Sequence, residues 1–255
     1  MKIVSIGAGN LAVNLSKALQ NAGFELVQVY SRTEKSAKEL AGLLNVPYTI
    51  YSENIVRDAS VYIVSVSDDA IETVSEKLTA VDGLVIHTAG SVAMNIFSGI
   101  VKNYGVLYPL QTFSQSHQVN FADIPIFIEA DTQDNLKRVR SLAEAVSCKV
   151  FHASSEERMQ LHLSAVFACN FVNHLYHLSA KIVRQSGFDF SVLSPLILET
   201  ARKALAAGNP EEVQTGPAAR NDRTVLQKHL EMLASCPELK EIYALLSENI
   251  INIKN

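Results

Sequence analysis

Cysteine is scarce in this 255-residue chain, and Cys148, Cys169 and Cys236 match no metal-ligand or redox spacing. So sparse and odd a set excludes a disulfide framework and predicts reduced thiols in a cytoplasmic protein. No run approaches the roughly 18 consecutive apolar residues of a membrane span, so no membrane partner is expected. Long basic stretches are missing too. With 22 Lys and Arg against 26 Asp and Glu, the formal net charge is −4, which argues against a general nucleic-acid binder. No internal repeat or low-complexity segment is present. The apolar residues after Lys2 are broken by a glycine turn, so they read as a strand and not as a signal peptide. What remains is ordinary globular composition, 48% hydrophobic and 19% charged. The length suffices for a large core in one or two domains.

The strongest positive signal lies in residues 2–12, KIVSIGAGNLA. A β-branched run leads into Gly7-Ala8-Gly9-Asn10-Leu11-Ala12 and then into a helical pattern, the order of a dinucleotide-binding fingerprint. Gly7 permits the sharp turn, Gly9 lets the backbone approach a pyrophosphate, and Ala12 lets the helix lie close to the sheet. The helix N-terminus then presents free N–H groups and a positive dipole end to phosphates. The second strand, Glu25–Tyr30, ends in Ser31-Arg32-Thr33 and not in the acid that would bond a ribose 2′-OH. A guanidinium between two hydroxyls suits a 2′-phosphate, which predicts NADP(H) over NAD(H). Ser31 is also placed to cap the helix beginning near Glu34.

Short apolar runs alternate with helical stretches up to about residue 153. The pattern predicts an α/β, Rossmann-type, doubly wound and mostly parallel sheet. Asp69 and Glu72 have capping-box spacing at the start of one helix. From residue 154 strand signals largely vanish. Helices are expected over 155–186, ending at Gly187, and over 190–207, 222–234 and 237–252. The expected organisation is a nucleotide-binding domain, 1–153, and an all-helical substrate and dimerisation domain, 154–255.

In an open α/β sheet, ligands bind beyond the carboxyl ends of the strands. Three loops lie there. Ser65-Val66-Ser67 precedes Asp68. His87-Thr88-Ala89-Gly90-Ser91 brings an imidazole, two hydroxyls and a glycine, suited to a nicotinamide ribose or a substrate; it also reads as a polar turn with Ser91 as a helix cap. The third is Tyr108-Pro109-Leu110-Gln111-Thr112-Phe113-Ser114. On the long helix, at about 100° per residue, Asn170, Asn173, His174 and His177 fall within about 120° of His162. That face suits a cleft, a subunit contact or a polar network. His174 and His177 lack further ligands in sequence, so no metal is expected. Arg220, in the turn Thr215–Asp222, is suited to grip a carboxylate or phosphate, while Asn221 or Asp222 caps the next helix.

These motifs resemble a bacterial family. GAGNLA, the SRT strand end, SDDAI (67–71), HTAGS, YPLQTFS, HLSAVFACNF (162–171) and TGPAARND (215–222) occur in its order over nearly the whole chain. Its members join a Rossmann-like domain to a helical domain of unassigned function and are described as deazaflavin-dependent-NADP-reductase-like oxidoreductases. The nucleotide domain is more distantly similar to pyrroline-5-carboxylate reductase, ketopantoate reductase and 3-hydroxyacid dehydrogenases. Two departures matter. The family commonly has His before the Pro of PLQTF, where this chain has Tyr108. The hydroxyacid dehydrogenases have a lysine one helical turn before the asparagine at Asn170, where this chain has Val166.

The resemblance and the residues together predict a hydride-transferring NADP(H)-dependent oxidoreductase. Its substrate is expected to be a small anionic carbonyl or imine compound in the interdomain cleft. His162, Asn170 and Tyr108 are the catalytic candidates, and Arg220, His87 and Thr112 the substrate contacts. The cofactor would meet Gly7–Leu11, Ser31–Thr33, Ser65–Ser67 and Thr88. A homodimer through the C-terminal helices is expected, as in relatives. The alternative from another class is a non-catalytic NADP(H)-binding regulator.

Overall fold

The computed structural model describes residues 1–114 and 119–254. Its chain divides into two compact units, Met1–Asn170 and Phe171–Asn255. In the first, eight strands form one sheet: β1 (Lys2–Ile6), β2 (Glu25–Tyr30), β3 (Tyr48–Thr49), β4 (Val61–Val64), β5 (Leu84–His87), β6 (Tyr104–Pro109), β7 (Ile126–Ala130) and β8 (Val150–His152). Their spatial order is β3-β2-β1-β4-β5-β6-β7-β8. All neighbours are parallel except β6 and β7. The chain winds outward from β1 to β3, then returns to place β4 on the other side of β1. That reversal opens a crevice at the carboxyl ends of β1 and β4.

Alternating side chains feed two cores, which is why the strands read as nearly continuous apolar runs. Ile3, Val61, Ile63 and Ile86 pack on one face with Leu15 and Leu19 from α1 (Asn10–Asn21) and Leu40 from α2 (Glu34–Leu44). Val4, Ile6, Tyr62 and Val64 pack on the other with Phe97 and with Ile71 from α3 (Ile71–Ser75). Ala12 is 1% exposed, consistent with close packing of α1. The Asp69–Glu72 capping box does not form. A 3₁₀ turn, Asp68–Ala70, precedes α3 and no side chain caps it. Ser31 does not cap α2 either: Thr33 holds that position without a side-chain bond, and Ser31 Oγ accepts from the Thr33 N–H at 3.4 Å.

After α4 (Gln133–Glu144) and β8, α5 (Ser155–Ala165) begins with a full capping box. Ser154 Oγ accepts from the Glu157 N–H and Glu157 Oε2 accepts from the Ser154 N–H, at 3.3 and 2.8 Å. Strand-poor sequence starts at 154, yet the compact first unit continues to Asn170. The reason is Arg158, a fully buried cation that ties α5 to β7. Val166–Phe171 is then π-wound, so a wheel drawn at a constant angle misplaces residues beyond it.

The second unit contains α6 (Val172–Gln185), α7 (Ser194–Ala207), α8 (Arg223–Met232) and α9 (Pro237–Lys254). Gly187 follows α6 with φ +81°, the left-handed conformation that favours glycine. Asp222 Oδ1 accepts from the Val225 N–H at 3.1 Å and caps α8. The core of this unit is small, built on Ala218, Leu226 and Ile251. Among the described residues no helix is long and apolar enough to cross a membrane.

Candidate active site

The crevice at the β1–β4 reversal is a cavity of about 580 Å³, within the ~300–1,000 Å³ of small-molecule sites. Its floor is the glycine turn. Gly7 has φ +105°, and a Cβ there would run into the Ser65 carbonyl oxygen; only glycine fits. Gly9 is different. Its backbone, φ −79° and ψ −177°, is open to any residue, and a Cβ on it would meet no atom of the described residues within 4 Å. Since Gly9 lines the cavity, that free volume is where a pyrophosphate would approach the backbone. No side chain caps α1 and no acid stands in its first turn, so its leading N–H groups and positive dipole end are left for an anion.

Every sequence-predicted cofactor residue lines this one cavity. Ala8, Asn10 and Leu11 join the two glycines at the turn; Ser31, Arg32 and Thr33 stand at the end of β2; Ser65, Val66, Ser67 and Thr88 follow β4 and β5. The Thr88 hydroxyl donates to Ser65 Oγ at 3.2 Å. Asn10 also reaches the third loop, donating from Nδ2 to the Phe113 carbonyl at 3.1 Å.

Tyr108 and His162 line the same cavity. The Tyr108 hydroxyl lies 3.1 Å from His162 Nδ1, and the rings meet edge-on with centroids 6.1 Å apart. Gly90 makes this approach possible, because a Cβ there would lie 2.7 Å from Tyr108 Cζ and 2.9 Å from His162 Cβ and Cγ. Burial pushes the tyrosine hydroxyl above its ordinary pKa; the Arg158 charge opposes that rise and the Asp68 carboxylate adds to it. Tyr108 therefore keeps its proton at neutral pH.

The other candidates of the first unit do not join them. His87 is fully buried and does not line the cavity. Its Nδ1 accepts from the Ala89 N–H at 3.2 Å, its ring lies 5.3 Å from that of Phe97, and Nε2 has no hydrogen-bond partner among the described residues. The role predicted for it as a substrate contact is corrected on this geometry: β5 turns the side chain into the core. Burial first, and then the Arg158 charge, lower its pKa to about 3. Thr112 is exposed, with its N–H bonded to Gln111 Oε1. Asn170 is exposed on the π-wound turn and does not line the cavity; Arg220 is exposed in the second unit.

The buried imidazole has a measurable consequence. Between pH 6.5, where an unfolded histidine titrates, and about 3, the unfolded chain holds one more proton than the folded one. Acidification through that window therefore favours unfolding, by about 1.4 kcal/mol per pH unit from this group. In urea unfolding from pH 8 down to about 4.5, which covers the upper part of that window, the parent is expected to lose stability relative to His87→Gln below pH 6.5. Above it the difference stays flat. Parallel curves throughout would contradict the assignment.

Residues 2–102 match the family described as NADP oxidoreductase, coenzyme F420-dependent, and residues 124–250 match DUF2520, a domain of unknown function. An inferred NADP oxidoreductase of Bacteroides fragilis is 46% identical, with a TM-score of 0.93 and 98% of each chain covered. The chain belongs to this oxidoreductase family. Protein TM1727 of Thermotoga maritima shares the family's fold at 23% identity, with a TM-score of 0.73 and coverage of 99% and 98%. So does 1-pyrroline-5-carboxylate reductase of Streptococcus pyogenes, at 17% identity, a TM-score of 0.64 and coverage of 99% and 98%. A search of curated proteins returns no match.

Among the residues not read from sequence as site residues are Asp68, which lines the cavity, and Arg158, which does not line it but bears on Tyr108. Asp68 Oδ2 accepts a hydrogen bond from the Ser91 hydroxyl; the cap position of the following 3₁₀ turn, Met94–Phe97, is held by Ala93 and not by Ser91. Arg158 stands one helical turn before His162, a spacing visible in the sequence, but a charged helical residue ordinarily signals solvent.

Proposed function

We propose that the protein is an NADP(H)-dependent oxidoreductase acting on a small anionic compound with a carbonyl or imine group. The observation that supports this most is the Tyr108–His162 hydrogen bond on a wall of the cavity that the dinucleotide fingerprint builds. Gly7–Leu11 would hold the pyrophosphate, Ser31, Arg32 and Thr33 the 2′-phosphate, and Ser65–Ser67 with Thr88 the nicotinamide end. The bound nicotinamide supplies or receives the hydride. In the reducing direction, the substrate oxygen or nitrogen takes the electron pair of the breaking π bond and the proton of the Tyr108 hydroxyl. His162 Nδ1–H returns a proton to the tyrosine oxygen as Nε2 takes one from solvent, so the imidazole stays neutral and changes tautomer.

Cofactor choice rests on Arg32. Arg32→Ala is expected to weaken NADPH binding about tenfold, the scale of one charge-assisted hydrogen bond, and to leave NADH binding unchanged. A parent protein that prefers NADH removes the basis for an NADP(H) enzyme. A screen of carbonyl and imine acids, followed by NADPH absorbance, tests catalysis itself; tight nucleotide binding without turnover would favour a regulator.

A homodimer through the C-terminal helices belongs to the same proposal. Leu196 is 65% exposed, Leu205 85% and Leu245 69%, apolar side chains that a second copy of the chain would cover. Light scattering should return twice the chain mass, and a monomeric mass would refute the dimer.

A further inference from the structure

Arg158 is the largest fully buried side chain of the first unit. Its Nη1 donates to Glu129 Oε2 of β7 at 2.6 Å, its Nε to the Ala89 carbonyl at 3.2 Å, and its Nη2 to the Val92 carbonyl at 2.6 Å and to Ser155 Oγ at 3.3 Å. Ser155 completes the network. Its hydroxyl donates to Glu129 Oε2 at 2.7 Å and accepts from the Met94 N–H at 2.9 Å. One guanidinium thus joins α5, the end of β7 and the loop after β5. Anchoring alone does not call for it: a buried ion pair costs several kcal/mol to desolvate, and well-packed apolar residues often hold a fold equally well. What the planar fork adds is direction, since it fixes two carbonyls and a carboxylate at set angles.

The two carbonyls bracket Gly90, the residue against which Tyr108 and His162 pack. Arg158 and His162 are four residues apart on α5 and so share a helix face. We propose that Arg158 is a positioning residue, which holds the 89–92 loop and α5 together so that the Tyr108 hydroxyl and His162 Nδ1 stay within hydrogen-bond reach. Arg158 touches neither partner's reacting atom; it acts through the Gly90 backbone and the helix. The charged groups bearing on the tyrosine are Arg158 and Asp68, with the His162 ring in contact, so Arg158→Lys, which keeps the charge and loses the fork, isolates geometry from electrostatics.

The catalytic value of this positioning rests on the proton-delivery reading above, but the test does not. In ¹⁵N-histidine NMR of the full chain, the parent's His162 nitrogens, assigned with His162→Ala, are expected to show one dominant tautomer. In Arg158→Lys the two signals should converge toward those of a freely exchanging imidazole. Ser155→Ala leaves the ion pair intact and should shift them the same way by less, which keeps the test available if the lysine variant does not fold. Unchanged His162 signals in the folded variants would overturn the proposal. Once a substrate is in hand, kcat of Arg158→Lys should fall about 10- to 100-fold, as for a displacement near 1 Å. Signals that move while Tyr108→Phe retains full turnover would uphold Arg158 as the positioning residue and refute the proton-delivery reading alone.

Discussion

Tyr108→Phe is expected to lower kcat by about 10²- to 10⁴-fold, the usual worth of a general acid, and to leave NADPH affinity unchanged. The substitution removes one oxygen. The ring, 8% exposed, still fills the space beside Gly90 and still meets the imidazole edge-on, so loss of packing would not explain the effect. Single-turnover reduction of a substrate found by the screen separates the chemical step from binding. His162→Gln should show a smaller loss, because the tyrosine hydroxyl remains and only its refilling is slowed. If the phenylalanine variant turns over like the parent, Tyr108 is not the proton donor and the proposed reaction scheme fails.

Gly9→Ala should bind NADPH about 10- to 100-fold more weakly and unfold at the same temperature as the parent. The range corresponds to the loss of one charged hydrogen bond or somewhat more. The separation of effects follows from geometry. The Gly9 backbone has no need of glycine, and its missing Cβ faces no atom of the described residues within 4 Å, so the methyl clashes with none of them. It costs the complex the approach of phosphate to backbone. Gly7→Ala is the contrasting case: φ is +105° and the Ser65 carbonyl blocks the methyl, so that variant should lose stability. Isothermal titration with NADPH and thermal unfolding of both proteins give the comparison. Parental affinity in Gly9→Ala would mean that the pyrophosphate does not lie over this turn.

Much of the cofactor cavity was legible because its information is local. A strand, a glycine turn and a helix start are adjacent in the chain, and their spacing alone sets Gly7 and Gly9 over a helix N-terminus. Strands β4 and β5 could be found because burial on both faces demands continuous apolar residues. His87 shows the limit. A histidine at a strand end reads as a ligand, yet the side to which it turned depended on the packing of Phe97. The stripe of amides and imidazoles on the long helix assumed a constant turn, and the π-wound Val166–Phe171 changes that phase.

The sequence by itself determined the strand–glycine–helix fingerprint, the hydroxyl–arginine–hydroxyl end of β2, and an α/β unit followed by helices. Each follows from side-chain volume, backbone freedom and periodicity within a dozen residues. Only the tertiary structure decided that Tyr108, Gly90 and His162 meet, with the tyrosine and the histidine 54 positions apart in the chain. It also decided that Arg158 is buried and not solvated. Those contacts depend on the order in which strands pair and on where α5 docks. A buried cation becomes tolerable only when Glu129 and two carbonyls arrive from other elements to receive its hydrogen bonds.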